Sequence, residues 1–181
     1  RMDTGRLSVE LLTAADTASA MRIGEQINEN NNERKSIDRE ITQEALEMVQ
    51  SGNCVVDNNA IVVYNPSWNK GVVGIVASRL VEAFYKPTVV LTKSNGFVTG
   101  SARSVAGFDL YACIEQCSDL LENFGGHVYA AGLTMKEENV QEFARRVDGF
   151  VNVKITREML IPVVELDSRL DFAQITPKFL R

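Results

Sequence analysis

Residues 72–104, VVGIVASRLVEAFYKPTVVLTKSNGFVTGSARS, decide the fold class of this 181-residue chain. Residues 72–85 carry apolar side chains at helical spacing, and Pro87 ends that pattern, so a helix is predicted there. The β-branched run at 88–91 predicts a buried strand, and a similar run at 60–64 precedes the helix. This order of strand, helix and strand favours parallel pairing with a right-handed crossover.

The dipeptide Asn95-Gly96 indicates a hairpin, because both residues tolerate the positive φ of a tight turn. Residues 97–104 should therefore return antiparallel to the preceding strand. We predict an α/β domain with a mixed sheet flanked by helices. The other predicted elements are a helix at 110–124, capped by Asp109 and ended by Gly125-Gly126, a strand at 130–135, a helix at 140–150 and a strand at 162–166.

Residues 13–51 contain no proline, and their apolar side chains lie three or four positions apart or at multiples of that spacing. This pattern predicts one long helix, or two in line, with Thr13 or Asp16 as N-cap and Ser51-Gly52 at the end. Its middle, residues 28–35, is too polar to be buried all round. We predict a connector helix that projects from the globular part.

The composition, 45% hydrophobic, is ordinary for a soluble protein. No segment approaches the roughly 18 uninterrupted apolar residues of a membrane span, and the first residues lack an apolar signal region. We expect a cytoplasmic protein with no membrane partner. The three cysteines share the chain with a single histidine, which favours free thiols over a metal site.

The net charge of −5 argues, taken alone, against a nucleic-acid partner. Its distribution differs along the chain. Residues 60–105 hold five basic and one acidic side chain, whereas residues 106–125 hold four acidic and no basic ones. This asymmetry is compatible with a basic cleft that attracts phosphates, and equally with chance clustering on a solvated surface.

Two segments carry candidate phosphate-binding residues. Ser101 and Arg103 should share one face of a strand, and the planar guanidinium matches phosphate oxygens. His127 follows Gly125-Gly126 and precedes small residues, which let a ligand come close. The alternatives are an exposed polar strand face and an ordinary surface or core histidine. The glycines of 71–74 could seat a phosphate at a helix N-terminus, but alone they are weak evidence.

Metal-assisted hydrolysis of a phosphodiester needs several carboxylates, often with histidine, around one or two ions. The aspartates Asp3, Asp16 and Asp57 are scattered over unlike segments, and one histidine cannot build such a centre. We therefore assign no catalytic or metal-binding residue here. Any catalysis should depend on residues outside this chain.

Several spaced motifs together resemble the RecJ branch of the DHH phosphoesterase superfamily, over nearly the whole chain. Their order makes the resemblance more specific than any single motif. The motifs are RM at 1–2, VELL at 9–12, NER at 32–34, WNKGVVGIVASRL at 68–80, GSARS at 100–104, GFDL at 107–110 and FGGHVYAAG at 124–132.

The resemblance implies an exonuclease that digests single-stranded DNA from the 5′ end in DNA repair and recombination. It implies Mn²⁺ or Mg²⁺ in a DHH domain outside this chain, with single-stranded DNA as partner and a single-strand-binding protein or helicase as a candidate helper. It also implies four parts. These are the tail of the DHH domain (1–12), the connector helix (13–51), the DHH-associated domain (52–156) and the start of an oligonucleotide-binding barrel (157–181).

The resemblance further implies which residues hold the phosphate of the terminal nucleotide. They are Ser101, Arg103, Ser104, Gly125, Gly126 and His127, with Arg1 on the opposite wall of the cleft. One position departs from the family pattern: many relatives have histidine where this chain has Asn69.

Two other functions compete with this interpretation. Superfamily phosphodiesterases that act on very short oligonucleotides or cyclic dinucleotides commonly have three glycines before the histidine, whereas Phe124 takes the third place here. The second competing function is that of a non-catalytic nucleic-acid-binding module, like the related domain of alanyl-tRNA synthetases. The connector helix and the Arg1-Met2 start favour the exonuclease.

The 181-residue chain should not digest 5′-phosphorylated single-stranded DNA with Mn²⁺ or Mg²⁺. The reason is that it lacks the carboxylates that would activate water. A gel-based nuclease assay checks this, and metal-dependent digestion that persists after a control for contaminants would contradict it.

Overall fold

A computed structural model describes residues 5–164 and 166–179. Within them, six strands form one mixed sheet. They are β1 (Val56–Asp57), β2 (Ile61–Tyr64), β3 (Thr88–Ser94), β4 (Phe97–Arg103), β5 (Leu121–His127) and β6 (Ala130–Met135). Their order across the sheet is β1-β2-β3-β4-β6-β5. The pair β2 and β3 is parallel and the other neighbouring pairs are antiparallel, so the predicted mixed α/β fold is confirmed.

Helices flank this sheet on both faces. The α-helices of the described residues are α1 (Arg6–Leu12), α2 (Thr17–Gln50), α3 (Val73–Phe84), α4 (Leu110–Glu115) and α5 (Val140–Lys154). Short 3-10 turns lie at Ser118–Leu120, Glu137–Asn139, Glu158–Leu160 and Phe172–Gln174. No described helix is both long enough and apolar enough to cross a membrane.

Two apolar clusters sandwich the sheet, because successive strand residues point to opposite faces. On one face, Ile61, Val63 and Val90 pack with α3 and the C-terminal part of α2. On the other face, alternate residues such as Val62 and Val89 pack with α4 and α5. The domain therefore has three layers, with the sheet in the middle.

The predicted strand-helix-strand unit and hairpin are both confirmed. Helix α3 lies within one residue of its predicted ends, and the turn at Asn95 and Gly96 has φ values of 53° and 82°. Gly100 is required in β4, since a Cβ there would collide with the Leu91 side chain and lie 2.7 Å from the Val90 carbonyl oxygen. This glycine lets the hairpin strands pack closely.

The helix predicted at 110–124 is wrong beyond its first part. Asp109 does cap α4, accepting a hydrogen bond from the Ala112 amide at 3.0 Å, but α4 ends at Glu115. The glycine pair expected to end the helix lies inside β5. The alternation of a strand is weak in this glycine-containing segment, so its pairing with β6 overrides the local signal.

Two further expectations change at the ends of the chain. Thr13 closes α1, and Asp16 is the N-cap of α2, accepting from the Ser19 amide at 2.8 Å. Residues 162–164, expected to begin a strand, are exposed and form none. Residue 165, in the same expected strand, lies outside the described residues.

The first half of α2 contributes no buried residue. The buried residues of α2, Asp38, Ile41, Thr42, Ala45 and Val49, all lie in its C-terminal part. No residue of 28–35 is buried. The polar middle therefore stays in contact with water, and only the last turns join the core.

An ion pair between a buried Asp38 and a partly exposed Arg79 joins the C-terminal part of α2 to α3. Arg79 donates to both carboxylate oxygens of Asp38, from Nε to Oδ1 at 3.2 Å and from Nη2 to Oδ2 at 2.8 Å. The Asp38 side chain is 5% exposed and the Arg79 side chain 45%. A second hydrogen bond holds α2 to the turn before α3: the indole Nε1 of Trp68 donates to Glu44 Oε2 at 2.7 Å.

Replacing Asp38 with asparagine should lower the free energy of unfolding by about 1.5–3 kcal/mol, because Arg79 loses a charge-assisted two-point contact. Urea unfolding measures this. Glu10→Gln is the control, since it removes an exposed pair to Arg6 and should cost under about 0.5 kcal/mol. Equal costs for the two variants would contradict a docking role for Asp38.

Candidate phosphate-binding face

One edge of a sheet face has no helix over it among the described residues. Helix α2 packs over β2 and helix α3 over β3 and β4 on this face, whereas the residues of β6 and β5 on the same side remain partly or fully exposed. The β4 residues Thr99, Ser101 and Arg103 are partly buried. Cross-strand partners form three rows here, which together we call the open face. The rows are Thr99, Thr134 and Asn123; Ser101, Gly132 and Gly125; and Arg103, Ala130 and His127.

Arg103 is half-buried on the open face. Its Nη1 donates to Ser101 Oγ and to the Ala102 carbonyl oxygen, both at 2.8 Å. Burial lowers the pKa of Arg103, although an arginine stays charged at neutral pH. No carboxylate of the described residues forms an ion pair with it, so this partly desolvated cation lacks a counter-charge there.

The donors that remain at Arg103 suit an anion. Nη1 is occupied, which leaves Nε and Nη2 as the fork that can meet two phosphate oxygens. Ser101 accepts from Arg103, so its own hydroxyl proton is free to donate to the same anion. The two residues can therefore act as one clamp.

The N-terminus of α3 lies beside this clamp. A Cβ on Gly74 would lie 3.1 Å from Arg103 Nη2 and 3.2 Å from Ser101 Oγ, so glycine makes room for both side chains. No side chain caps this 12-residue helix. The partial positive charge of a helix N-terminus is thus added to that of the guanidinium.

His127 ends the row that Arg103 begins. Both residues pair with Ala130, so their backbones are two strand spacings, roughly 10 Å, apart. The imidazole is exposed. A shallow depression of about 250 Å³ lies between them, and its lining includes Ser101, Gly125 and Gly132. We call it the Arg103 depression.

The two glycines of β5 have different reasons to be glycine. Gly126 has φ of 155°, and a Cβ there would overlap the Ala130 carbonyl oxygen and lie 2.6 Å from Ala131 Cα. Gly125 would meet nothing within 4 Å. Folding therefore requires Gly126, whereas Gly125 keeps the floor of the depression free of side chains.

The remaining predicted site residues lie elsewhere. The Ser104 hydroxyl donates to the Phe108 carbonyl oxygen at 2.8 Å, and the residue does not line the Arg103 depression. The Asn69 side chain accepts from the Gly71 amide at 2.8 Å in the turn before α3. Arg1 lies outside the described residues.

The sequence indicates Gly74 only as part of a weak phosphate signal at 71–74, and it does not reveal the row of Thr99, Thr134 and Asn123. Residue alternation along β4 would have placed Thr99 beside Ser101, but Asn123 could not be found while its segment was predicted to be helical.

The described residues contain no group of three histidine, cysteine or acidic side chains that could hold a metal. Cys113 in α4 and Cys117 in the turn after it are buried, and burial raises the pKa of Cys113 to about 12 and that of Cys117 to about 11. Both thiols therefore stay protonated at neutral pH and are poor nucleophiles.

One open sheet face of this α/β domain thus brings together an arginine without an acidic partner among the described residues, a free hydroxyl proton and an uncapped helix N-terminus. Comparison with known proteins gives the family. The family model of the DHHA1 domain matches residues 57–153, and the chain belongs to this family.

Curated relatives confirm the predicted resemblance to the RecJ branch. The single-stranded-DNA-specific exonuclease RecJ of Bacillus subtilis is 41% identical over 169 residues, which are 92% of this chain and 21% of the relative. RecJ of Escherichia coli is 30% identical over 97% of this chain and 32% of the relative. The chain thus spans between about a fifth and a third of these relatives.

Solved structures agree with this placement. RecJ from Thermus thermophilus in complex with Mn²⁺ superimposes with a TM-score of 0.73 at 28% identity, over 82% of this chain and 22% of the other. An exonuclease RecJ bound to manganese gives 0.71 at 26% identity, over 86% and 40%.

The two glycines of β5 should respond differently to alanine. Gly126→Ala should lower the free energy of unfolding by about 2–4 kcal/mol, through backbone strain and steric overlap. Gly125→Ala should change it by less than about 0.5 kcal/mol, since its Cβ would enter open space. Urea unfolding of both variants checks this, and a large loss for Gly125→Ala would contradict the description of the floor.

Proposed function

We propose that this chain is the DNA-holding part of a metal-dependent exonuclease that hydrolyses single-stranded DNA from its 5′ end, in cytoplasmic DNA repair and recombination. One observation carries the proposal: Arg103 is a half-buried cation with no carboxylate partner among the described residues, beside the N-terminus of α3. The printed names of the RecJ relatives support single-stranded DNA as the source of the anion.

In this proposal the 5′-terminal phosphate lies in the Arg103 depression. Nε and Nη2 of Arg103 hold two of its oxygens, the Ser101 hydroxyl donates to one of them, and His127 donates from the other side. Gly125 leaves room for the sugar. These contacts fix the register of the strand, so that the bond to be cut always lies at the same distance from the clamp.

The chemistry of cleavage is proposed to come from Mn²⁺ or Mg²⁺ held by residues outside this chain, as the manganese and magnesium complexes of RecJ structures suggest. Bound metal would activate water and neutralise charge on the phosphate. Residues 52–156 would hold the strand, and 13–51 would connect them to the metal-holding part. Residues 1–12 would belong to that part and 157–181 to a following barrel.

Replacing Arg103 with lysine should weaken binding of a 5′-phosphorylated oligodeoxythymidine to the chain by about tenfold, because the charge remains but the two-point contact is lost. Fluorescence anisotropy measures this, with Arg145→Lys as the matched control, because Arg145 pairs with Glu142 on α5. The same oligonucleotide without its 5′-phosphate should bind the unsubstituted chain less tightly. Arg103→Lys should weaken its binding by a smaller factor. Equal binding by the two arginine variants would contradict the clamp.

In an intact enzyme that contains this chain, His127→Ala should lower kcat/KM by about tenfold or more, which corresponds to about 1.4 kcal/mol. The thermal midpoint should stay unchanged, because the side chain is exposed. Kinetics and thermal unfolding of the same preparation separate a binding role from a structural one. Unchanged kinetics would remove His127 from the site.

A further inference from the structure

The open face continues beyond the Arg103 depression. A second depression of about 380 Å³ shares Gly125 and Gly132 with the first. A third, of about 240 Å³, shares Thr99 and Thr134 with the second. The three form one trough, which runs along β4 from Arg103 to the hairpin turn.

The far end of the trough carries an aromatic ring and a cation. Phe97 has the same strand parity as Thr99, Ser101 and Arg103, and it is 40% exposed. Lys70 lines the same depression, is exposed and makes no ion pair among the described residues. An exposed ring beside a free cation is the pair of groups that holds a stacked base and its phosphate.

The charge of the trough is opposite to that of the whole chain. None of the described residues lining its three depressions is acidic, although the chain has a net charge of −5. The nearest acid along β5 is Glu122, which lies in the bulge before Asn123. Lys70 and Arg103 at the two ends thus face a groove of hydroxyls, an amide and glycines, which suits a polyanion.

The length of the trough suits more than one nucleotide. From Phe97 to Arg103 the strand rises six times about 3.3 Å, or roughly 20 Å. A stacked single strand advances about 3.4 Å per nucleotide, so several nucleotides fit even when the strand is fully stacked. A mononucleotide or dinucleotide in the Arg103 depression would not reach Phe97.

The geometry points to a second DNA contact in this domain: Phe97 stacks on a base several nucleotides from the terminal phosphate, and Lys70 holds the neighbouring backbone phosphate. This inference rests on the proposed function and adds a direction to it. The 5′ end lies at Arg103, and the strand runs along β4 toward the hairpin turn. Long substrates then gain affinity that short ones lack.

The test compares 5′-phosphorylated oligodeoxythymidines of two and eight nucleotides binding to the 181-residue chain by fluorescence anisotropy. Phe97→Ala should weaken binding of the eight-nucleotide strand at least about fivefold and leave the dinucleotide unchanged. Phe97→Tyr should bind the eight-nucleotide strand as tightly as the unsubstituted chain does, because it keeps an aromatic ring. Circular dichroism and thermal unfolding verify that each variant is folded.

Salt dependence tests the lysine separately. Lys70→Ala should reduce the slope of log Kd against log salt for the eight-nucleotide strand by about 0.7, the value for one lost phosphate contact on a single strand. Lys93→Ala is the matched control, because Lys93 lies on the same hairpin as Phe97 but pairs with Glu137 at 2.6 Å and does not line the trough. The slope of log Kd against log salt should not change in Lys93→Ala.

The possible failures can be told apart. If Arg103→Lys weakens both lengths while Phe97→Ala and Lys70→Ala weaken neither, the second contact is wrong and the proposed function survives. If no variant of the trough affects either length, or the chain binds neither strand, both proposals fail. Equal displacement of the DNA by an oligo-glutamate of matched charge would also overturn the second contact, since stacking on Phe97 requires bases.

Discussion

A guanidinium held partly out of water, with no described carboxylate beside it, is the constraint on which this site depends. Arg103 would be better solvated if it turned outward, yet hydrogen bonds to Ser101 and to its neighbour's carbonyl oxygen hold it at the sheet surface. An anion would supply the missing counter-charge. Its binding can therefore offset the free energy that is lost when the Arg103 guanidinium is partly removed from water. Gly74 is part of the same arrangement, because any larger residue would crowd Arg103 and Ser101.

The contrast with Arg79 shows how one domain uses the same residue type in two ways. Arg79 meets a buried carboxylate through two hydrogen bonds and fastens the connector helix to α3. Arg103 has no such partner in the described part of the chain and lies where α3 ceases to cover the sheet. A paired arginine stabilises the fold, whereas an unpaired one on an open face is available to a ligand. Because Arg79 lies on α3 and Arg103 lies beside the N-terminus of α3, the connector and the candidate site are joined through a single helix.

Strong periodic signals explain why so much of the fold could be predicted from sequence. The helix before Pro87, the strand after it and the turn at Asn95-Gly96 each combine pattern with a specific breaker, and the structure confirms all three. The segment at 121–127 lacked such a signal, since its strand character depends on pairing with β6. That error hid the third strand of the open face. Alternation placed Ser101 and Arg103 together correctly, but no sequence rule could show that Gly74, far along the chain, makes room for them.

The central claim for this domain is that its open face, and Arg103 in particular, binds the 5′-phosphate of a DNA strand. Amide chemical-shift mapping tests it most directly, by titrating the ¹⁵N-labelled chain with a 5′-phosphorylated oligodeoxythymidine. We expect the largest shifts on the amides of Gly74, Ser101, Arg103, Gly125 and His127, and we expect them to shrink when the 5′-phosphate is removed. Shifts confined to α4 and α5 on the opposite face, or shifts indifferent to the phosphate, would contradict this role of the open face.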